Sequence, residues 1–279
     1  MSALIEHFSV LRGSHDSELS LKAFPVPMPN FARALAGRLV DEVGNALLRP
    51  PIGGFGKVVL HGPRSQKRVA LTYDDGPNAP STSDLLDALA EYGVKATFFC
   101  VGDNAARYND IVRRAYSEGH VIGNHSMWHS RKTGLMLHED AHIDECAVIL
   151  EGILGRRPLL YRAPWGWLTP WETQRLVSRN YTIVGWDVYT YDWQTPPPNG
   201  AAMAAGVVRD ALPGSIILLH DGRPNVEYAD RPETVLATTE TVRRMKAMGY
   251  EFVTVPELLG VAAYAVDTKA ELSCHCQTS

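Results

Sequence analysis

Short apolar runs of strand length alternate with amphipathic stretches along most of this chain. The runs occupy residues 69–73, 96–101, 120–123, 159–162, 182–187, 215–220 and 251–255. Helical patterns at 83–92 and 110–118 each end before a glycine, Gly93 and Gly119, which is typical of a helix C-terminus. Another helix is predicted to begin at Thr169-Pro170, an N-cap residue followed by a proline. This alternation indicates an α/β fold with parallel strands, in a doubly wound sheet or a barrel.

The amino-terminal part of the chain follows a different pattern. A proline-interrupted stretch, "FPVPMPN", leads to Asn30, and apolar residues then recur every four positions, at Phe31, Leu35, Leu39, Val43 and Leu47. This spacing predicts an amphipathic helix that packs on the main domain. We therefore expect an N-terminal extension at 1–56, a main domain at 57–264 and a C-terminal tail at 265–279.

Composition narrows the classes of function. The 279 residues are 45% hydrophobic and 21% charged, as in an ordinary globular protein, and the net charge of -4 favours neither nucleic acid nor an acidic membrane as partner. No stretch approaches the roughly 18 apolar residues of a membrane span. The beginning of the sequence has no basic segment followed by an apolar core, so we expect no secretory signal and a cytoplasmic location.

Residues suited to chemistry follow several of the apolar runs. They are Asp74, Asp75, Asn124, His125, Arg162, Asp187 and His220. Barrel enzymes carry their chemistry at the carboxyl ends of the strands, so these residues are candidates for one site. Two adjacent carboxylates repel each other unless a cation or a shared proton offsets the repulsion.

A metal would explain the adjacent carboxylates. His125 and His129 lie four residues apart in "NHSMWH", a spacing that can bring two imidazoles to one metal. With one aspartate they form a set of two histidines and a carboxylate that leaves a coordination position open. This is the composition of a catalytic divalent site, for which zinc is the default metal.

Five short stretches carry a family resemblance. "TYDDGP", "HSMWH", "RAPWG", "YDWQ" and "LLHD", in this order, resemble the five motifs of the NodB-type polysaccharide deacetylases, carbohydrate esterase family 4. The resemblance covers about residues 69–259. It implies a distorted (β/α) barrel with about seven parallel strands, to which the N-terminal helical extension is added.

The resemblance also implies roles for individual residues. Asp75, His125 and His129 would bind one divalent metal, most simply Zn²⁺, with Co²⁺ or Mn²⁺ as alternatives. Asp74 would be the catalytic base, held by Arg162, and His220 the catalytic acid, held by Asp192. The substrate-binding residues would be Trp165, through its backbone N–H, together with Tyr73, Trp193 and Leu218.

Two positions depart from the family pattern. Tyr189 stands where the fourth motif of the family often has its first aspartate, and strand alternation would keep Asp187 on the same face as that position. Trp165 follows the proline of the third motif, where tyrosine is frequent. Because its backbone N–H is retained, we expect the change to affect substrate preference more than activity.

The expected activity is hydrolysis of the acetamide of an N-acetylated sugar, such as an N-acetylglucosamine oligomer or polymer, to amine and acetate. Three alternatives stay open: deacetylation of acetyl esters or of a non-sugar amide, a non-catalytic carbohydrate-binding relic of the fold, and a metalloprotease. The last rests on "HEDAH" at 138–142, which fits the H-E-x-x-H pattern of zinc proteases. The sequence does not indicate an oligomeric state.

Overall fold

The computed structural model describes residues 56–130 and 140–266. The helix predicted at 31–47 and most of the predicted tail lie outside these residues, and the domain boundaries stay predictions. No helix in the described part of the chain is both long and apolar enough to span a membrane.

The described residues form one parallel sheet that curls into a half-barrel, with helices around it. Its strand order is β5-β4-β3-β2-β1-β7-β6, and β8 pairs with the beginning of β1. The strands are β1 Arg68–Asp74, β2 Thr97–Cys100, β3 Val121–Asn124, β4 Leu160–Tyr161, β5 Thr182–Ile183, β6 Val188–Tyr189, β7 Ile216–His220 and β8 Glu251–Phe252. The predicted α/β barrel with about seven parallel strands is confirmed.

Helices connect most of the strands, as parallel connections require. They are α1 Ser81–Glu91, α2 Gly102–Arg107, α3 Asn109–Ser117, α4 Asp140–Leu154, α5 Pro170–Ser178, α6 Gly200–Asp210, α7 Pro232–Ala247 and α8 Val255–Leu259. A 3₁₀ turn, Pro164–Gly166, follows β4.

The predicted helix ends are present because their signals are local. Helix α1 is followed by Gly93 at φ +60° and α3 by Gly119 at φ +90°, a backbone region that disfavours other residues. At the beginning of α5, the Thr169 hydroxyl accepts a hydrogen bond from the backbone N–H of Glu172. Cap residues therefore set the ends of these three helices.

Strand alternation separates two hydrophobic cores. In β1, Leu71 and Tyr73 belong to the cluster that includes residues of the surrounding helices. Ala70, with the opposite orientation, packs with Phe99 and Ile216 in the interior of the half-barrel. Because side chains alternate along a strand, Asp74 and His220 share the interior face of Ala70 and Ile216.

The apolar run predicted as one strand at 182–187 is divided, which corrects that prediction. Strand β5 ends at Ile183, and Val184 forms only a bridge with Val59. Gly185 N–H also donates to the carbonyl of Val59, at 2.8 Å. The chain then reaches the other edge of the sheet as β6, which pairs with β7. A segment that changes its pairing partner so quickly cannot form one continuous strand.

Candidate metal and catalytic site

Four strands bring the candidate residues to one end of the sheet. Asp74 ends β1 and pairs in register with His220, the last residue of β7. His125 follows β3, and Arg162 follows β4. Parallel strands align their carboxyl ends, so residues far apart in the sequence become neighbours here.

Asp75, His125 and His129 form a group with the geometry of a metal site. Nε2 of His129 lies 3.2 Å from Oδ1 of Asp75, and Nε2 of His125 lies 3.5 Å from the same oxygen. Asp75 has φ 76°, a left-handed conformation that is uncommon for a non-glycine residue. One ligand atom from each residue falls within 4.8 Å of the others, and no second such group occurs among residues 56–130 and 140–266.

The donor set fits a divalent metal. Oδ1 of Asp75 is buried and accepts no hydrogen bond from any described residue, an arrangement that costs free energy unless a cation meets the oxygen. Nδ1 of His125 lies 2.8 Å from the carbonyl oxygen of Arg162. Because a carbonyl can only accept, this nitrogen carries the proton and Nε2 of the neutral ring keeps its lone pair. Two imidazoles and one carboxylate suit zinc and similar divalent ions.

The electrostatics of the group follow from burial and charge. Burial raises the pKa of Asp75, but His129 and His125 outweigh it and hold that pKa far below its usual range. Burial lowers the pKa of His129 to about 4, which favours the neutral, metal-binding ring. His125 experiences the same burial, yet Asp74 and Asp75 raise its pKa overall.

Arg162 holds Asp74 from inside the half-barrel. Its Nη1 donates to Oδ1 of Asp74 and to Oγ1 of Thr72, each at 2.8 Å. Its remaining donors bind the carbonyls of Val184 and Gly185 at 3.2 and 2.9 Å, so the buried guanidinium is extensively paired. The other oxygen of Asp74, Oδ2, lies 3.7 Å from Nε2 of His125 and thus faces the histidine pair.

His220 is held by Asp192 on the opposite side. Nδ1 of His220 lies 2.9 Å from Oδ1 of Asp192, and the His220 backbone N–H donates to Oδ2 at 2.8 Å. Thr234 of α7 donates to the same Oδ2 at 3.0 Å. Burial disfavours charge on His220, but the Asp192 carboxylate outweighs it and raises the pKa of His220 to about 9. The Asp192 carboxylate therefore favours the protonated ring, whose Nδ1–H is directed to Oδ1 of Asp192.

Three of the predicted substrate-binding residues lie around this end of the sheet. The Trp165 ring lies 5.1 Å from that of His129, and the residue has φ 61° within the 3₁₀ turn. Leu218 precedes His220 by two residues and therefore shares its face. Trp193 adjoins Asp192 and is half exposed.

Tyr73, by contrast, is not placed to contact a substrate, which corrects its prediction. It is completely buried, its ring stacks on Phe98 at 5.1 Å, and its hydroxyl lies 2.9 Å from Oγ1 of Thr238 in α7. Adjacent residues of a strand point to opposite faces, so the orientation that directs Asp74 inward directs Tyr73 toward the helices.

Asp187 does not take the place of the family's missing aspartate. Its carboxylate pairs with Arg64 at 2.7 Å and accepts from the Ser215 hydroxyl and the Ile216 N–H. It therefore lies beside the beginning of β7, whereas His220 ends that strand. Tyr189 occupies the aspartate position and is 49% exposed.

Only part of the protease-like pentapeptide lies within the described residues. His138 and Glu139 lie outside the described residues. His142, its second histidine, lies in α4 with Nδ1 3.4 Å from Oε2 of Glu145. Within the described ranges it does not join a group with metal-site geometry.

Sequence reasoning missed Asp221, Thr72 and Thr234. The Asp221 carboxylate accepts from the backbone N–H of Gly76 at 3.2 Å and from Oγ1 of Thr82 at 2.7 Å. It thereby fixes the turn after Asp75, and burial raises its pKa to about 7. Asp221 could have been noticed because it follows His220 in "LLHD", whereas the two threonines carry no signal outside the folded structure.

Comparison with known proteins agrees with this site. A family model described as polysaccharide deacetylase matches residues 61–183. A peptidoglycan-N-acetylglucosamine deacetylase of Bacillus cereus is 34% identical over 218 residues, which cover 76% of this chain and 98% of the relative. The chain belongs to the polysaccharide deacetylase family. The resemblance inferred from its five motifs is thus confirmed.

Two further relatives extend the agreement. A chitooligosaccharide deacetylase of Bradyrhizobium sp. is 32% identical, over 69% of this chain and 90% of its own. The crystal structure of the Bc1960 peptidoglycan N-acetylglucosamine deacetylase superposes with a TM-score of 0.70 at 32% identity, covering 75% of this polysaccharide deacetylase and 95% of that chain. The matched segment 61–183 includes Asp74, the histidine pair and Arg162. Asp192 and His220 lie beyond it and join the site through the fold.

Proposed function

We propose that this polysaccharide deacetylase hydrolyses the acetamide of an N-acetylated sugar to an amine and acetate. One observation carries the proposal: a carboxylate held by Arg162 and a histidine ring held by Asp192 end two paired strands beside a site fit for a divalent metal. Amide hydrolysis needs both, because water must lose a proton and the amine must gain one. The relatives named above support an N-acetylglucosamine unit in peptidoglycan or a chitooligosaccharide as the substrate class.

Asp75, His125 and His129 would hold one divalent ion, with Zn²⁺ as first choice and Co²⁺ or Mn²⁺ as alternatives. When bound, the ion supplies Lewis acidity that makes a water more acidic and polarises the acetamide carbonyl. The proposed requirement is for a metal at this site. Elemental analysis of the purified protein would identify the metal.

Asp74 acts as the general base in this proposal. As water attacks the carbonyl carbon, a carboxylate oxygen of Asp74 accepts the proton that the water loses. Arg162 fixes the orientation of the Asp74 carboxylate through a buried 2.8 Å pair. The oxygen not bound by Arg162 is the one that faces the histidine pair, which suits it for this task.

Charge then develops on the former carbonyl oxygen. The backbone N–H of Trp165 is the proposed donor to this oxygen, a role that comes from the family resemblance and is supported by the position of Trp165 beside His129. Leu218 and Trp193 would bound the space for the acetyl group and the sugar.

His220 completes the reaction as the general acid. Nδ1 is bound to Asp192, so Nε2 is the nitrogen that gives a proton to the leaving amine as the C–N bond breaks. Acetate and a free amine are the products. A relic that only bound carbohydrate would need neither a paired base nor a paired acid.

A substrate panel tests the proposal. We expect mass spectrometry to detect loss of one acetyl group from N-acetylated sugars when the metal-loaded protein is present, and no loss with Asp74→Asn. If the protein removes acetyl groups only from acetyl esters or only from non-sugar amides, that compound class is its substrate and the sugar amide is not. Binding of sugars without any turnover would favour the non-catalytic alternative. The cytoplasmic location stays a prediction, which cell fractionation would test.

A further inference from the structure

Tyr189, Tyr191 and Trp193 form an exposed aromatic strip on β6 and the residues after it. Their side chains are 49%, 48% and 51% exposed, whereas the intervening Thr190 and Asp192 are buried. Every second side chain from Tyr189 to Trp193 is thus exposed, although the strand ends at Tyr189 and a turn closed by the Gln194 N–H and the Tyr191 carbonyl holds Trp193. The ring centres of Tyr189 and Tyr191 lie 5.3 Å apart, and those of Tyr191 and Trp193 lie 6.1 Å apart.

The aromatic strip adjoins the proposed acid. Tyr189 pairs in register with Leu218, which lies two residues before His220 on the same face of β7. Asp192, which binds His220, lies between Tyr191 and Trp193. The strip is therefore continuous with the proposed substrate pocket, whose wall already includes Trp193.

The two tyrosine rings contribute little to the hydrophobic core. Val188 supplies the buried contact of β6, and the Thr190 N–H donates to the carbonyl of Leu218. Contiguous exposed aromatic rings commonly mark a binding surface. Tyr189, which replaces the aspartate frequent in the resembling family, adds a ring to this surface that the usual motif lacks.

We propose that Tyr189 and Tyr191 together bind a sugar unit of a glycan chain next to the unit that is deacetylated. This inference rests on the proposed function. Aromatic faces stack on the C–H faces of pyranose rings, while tyrosine hydroxyls at the edge can bond sugar hydroxyls. The hydroxyls of Tyr189 and Tyr191 lie 3.3 Å apart, so both edges meet the same region of ligand. The preferred substrate is then an oligomer or polymer, and a single acetylated sugar is a poor one.

The kinetic test compares N-acetylglucosamine oligomers of increasing length. In the wild type we expect kcat/KM to rise with chain length, and in the double variant Tyr189→Ala/Tyr191→Ala the ratio of long to short oligomers should fall by about 10-fold, as expected for two lost stacking contacts. Tyr189→Phe/Tyr191→Phe keeps the aromatic rings and should keep most of the increase of kcat/KM with chain length. Leu212→Ala removes an equally exposed apolar side chain before β7, at the other end of the sheet, and should match the wild type.

A binding measurement separates this inference from the proposed function. In the Asp74→Asn variant, affinity electrophoresis should show that the protein binds longer oligomers more strongly. Adding Tyr189→Ala and Tyr191→Ala to this variant should weaken the binding. If the wild type deacetylates every length equally well, the inference fails while the function stands. If no sugar is deacetylated but tyrosine-dependent binding persists, the function fails while the inference stands. Variants that change only the oligomeric state, without changing length dependence, would make the aromatic strip a protein interface and overturn the inference.

Discussion

Arg162 and Asp74 form an ion pair 2.8 Å long that is almost completely removed from solvent. The guanidinium lies in the half-barrel, over the ring of Phe99, and the carboxylate lies at the end of β1. A charge at this depth is tolerated only where it is paired and hydrogen-bonded. The same contact therefore serves the stability of the fold and the orientation of the proposed base.

Replacing Arg162 by methionine tests this double role. The variant leaves Asp74, Thr72 and two backbone carbonyls without their partner, so the free energy of unfolding should fall by about 3–5 kcal/mol. Urea titration measures the change. Arg157→Met, which removes a partly exposed partner of Asp144, should cost much less. Equal losses of unfolding free energy in the two variants would mean that the buried Arg162–Asp74 pair stabilises the fold no more than a partly exposed pair does.

Asp74→Asn should separate fold and metal from chemistry. An amide is nearly the same size as the carboxylate but cannot accept the proton of water, so kcat should fall by about 10²–10⁴-fold. Metal content should stay near that of the wild type, since Asp75, His125 and His129 are unchanged. Asp87→Asn, at an exposed carboxylate, is the matched control. Near-normal kcat in Asp74→Asn would remove Asp74 from the mechanism.

The metal ligands can be tested through His129. Its ring is buried and its Nε2 lies near Asp75, so His129→Ala should lose most of the divalent metal measured by elemental analysis. His125 is a less specific choice, because its Nδ1 also binds the Arg162 carbonyl. His142→Ala changes the second histidine of the protease-like pentapeptide and should leave metal content unchanged. Loss of the metal in His142→Ala but not in His129→Ala would place the metal site at that pentapeptide instead.

Sequence reasoning succeeded where the signal is local or where the motifs are ordered. Gly93, Gly119 and Thr169 mark helix ends through their own backbone or side-chain chemistry, and these ends occur as predicted. The alternation of apolar runs and helical patterns also predicted which residues lie at the ends of parallel strands. This is why residues from β1 to β7 could be assigned to one site before their distances were known.

The failures arise from relations that the sequence does not encode locally. The family resemblance placed Tyr73 among the substrate-binding residues, although Tyr73 points to the opposite face of the strand from its neighbour Asp74. Strand β6 has only two residues, too few for a periodic pattern, so its separation from β5 was not foreseen. Asp221 and Thr234 act through contacts made only when helices α1 and α7 pack against the residues that follow β7 and β6.

The pH dependence should report the pair of His220 and Asp192. A general acid must be protonated, and the pKa of His220 is about 9, so kcat/KM should fall as the pH rises above about 9. Asp192→Asn removes the anion that raises this pKa, so the alkaline decline should begin at a lower pH. Asp187→Asn changes a carboxylate that pairs with Arg64 instead and should leave the decline in place. An unchanged alkaline limb in Asp192→Asn would show that His220 does not set it.

His220→Ala tests the acid most directly, because amides and activated esters differ in their leaving groups. An amine leaves only when it is protonated, whereas an aryl oxide leaves without help, so the variant should lose about 10²–10⁴-fold in kcat/KM on an N-acetylated sugar and far less on an aryl acetate. Both reactions share the metal site, Asp74 and the proposed Trp165 donor. Their comparison therefore isolates proton donation from these common steps. Measuring the two substrates in parallel, with circular dichroism to check the fold, decides the role. Equal losses on both would mean that His220 stabilises something common to the two reactions, and the assignment as acid would be wrong.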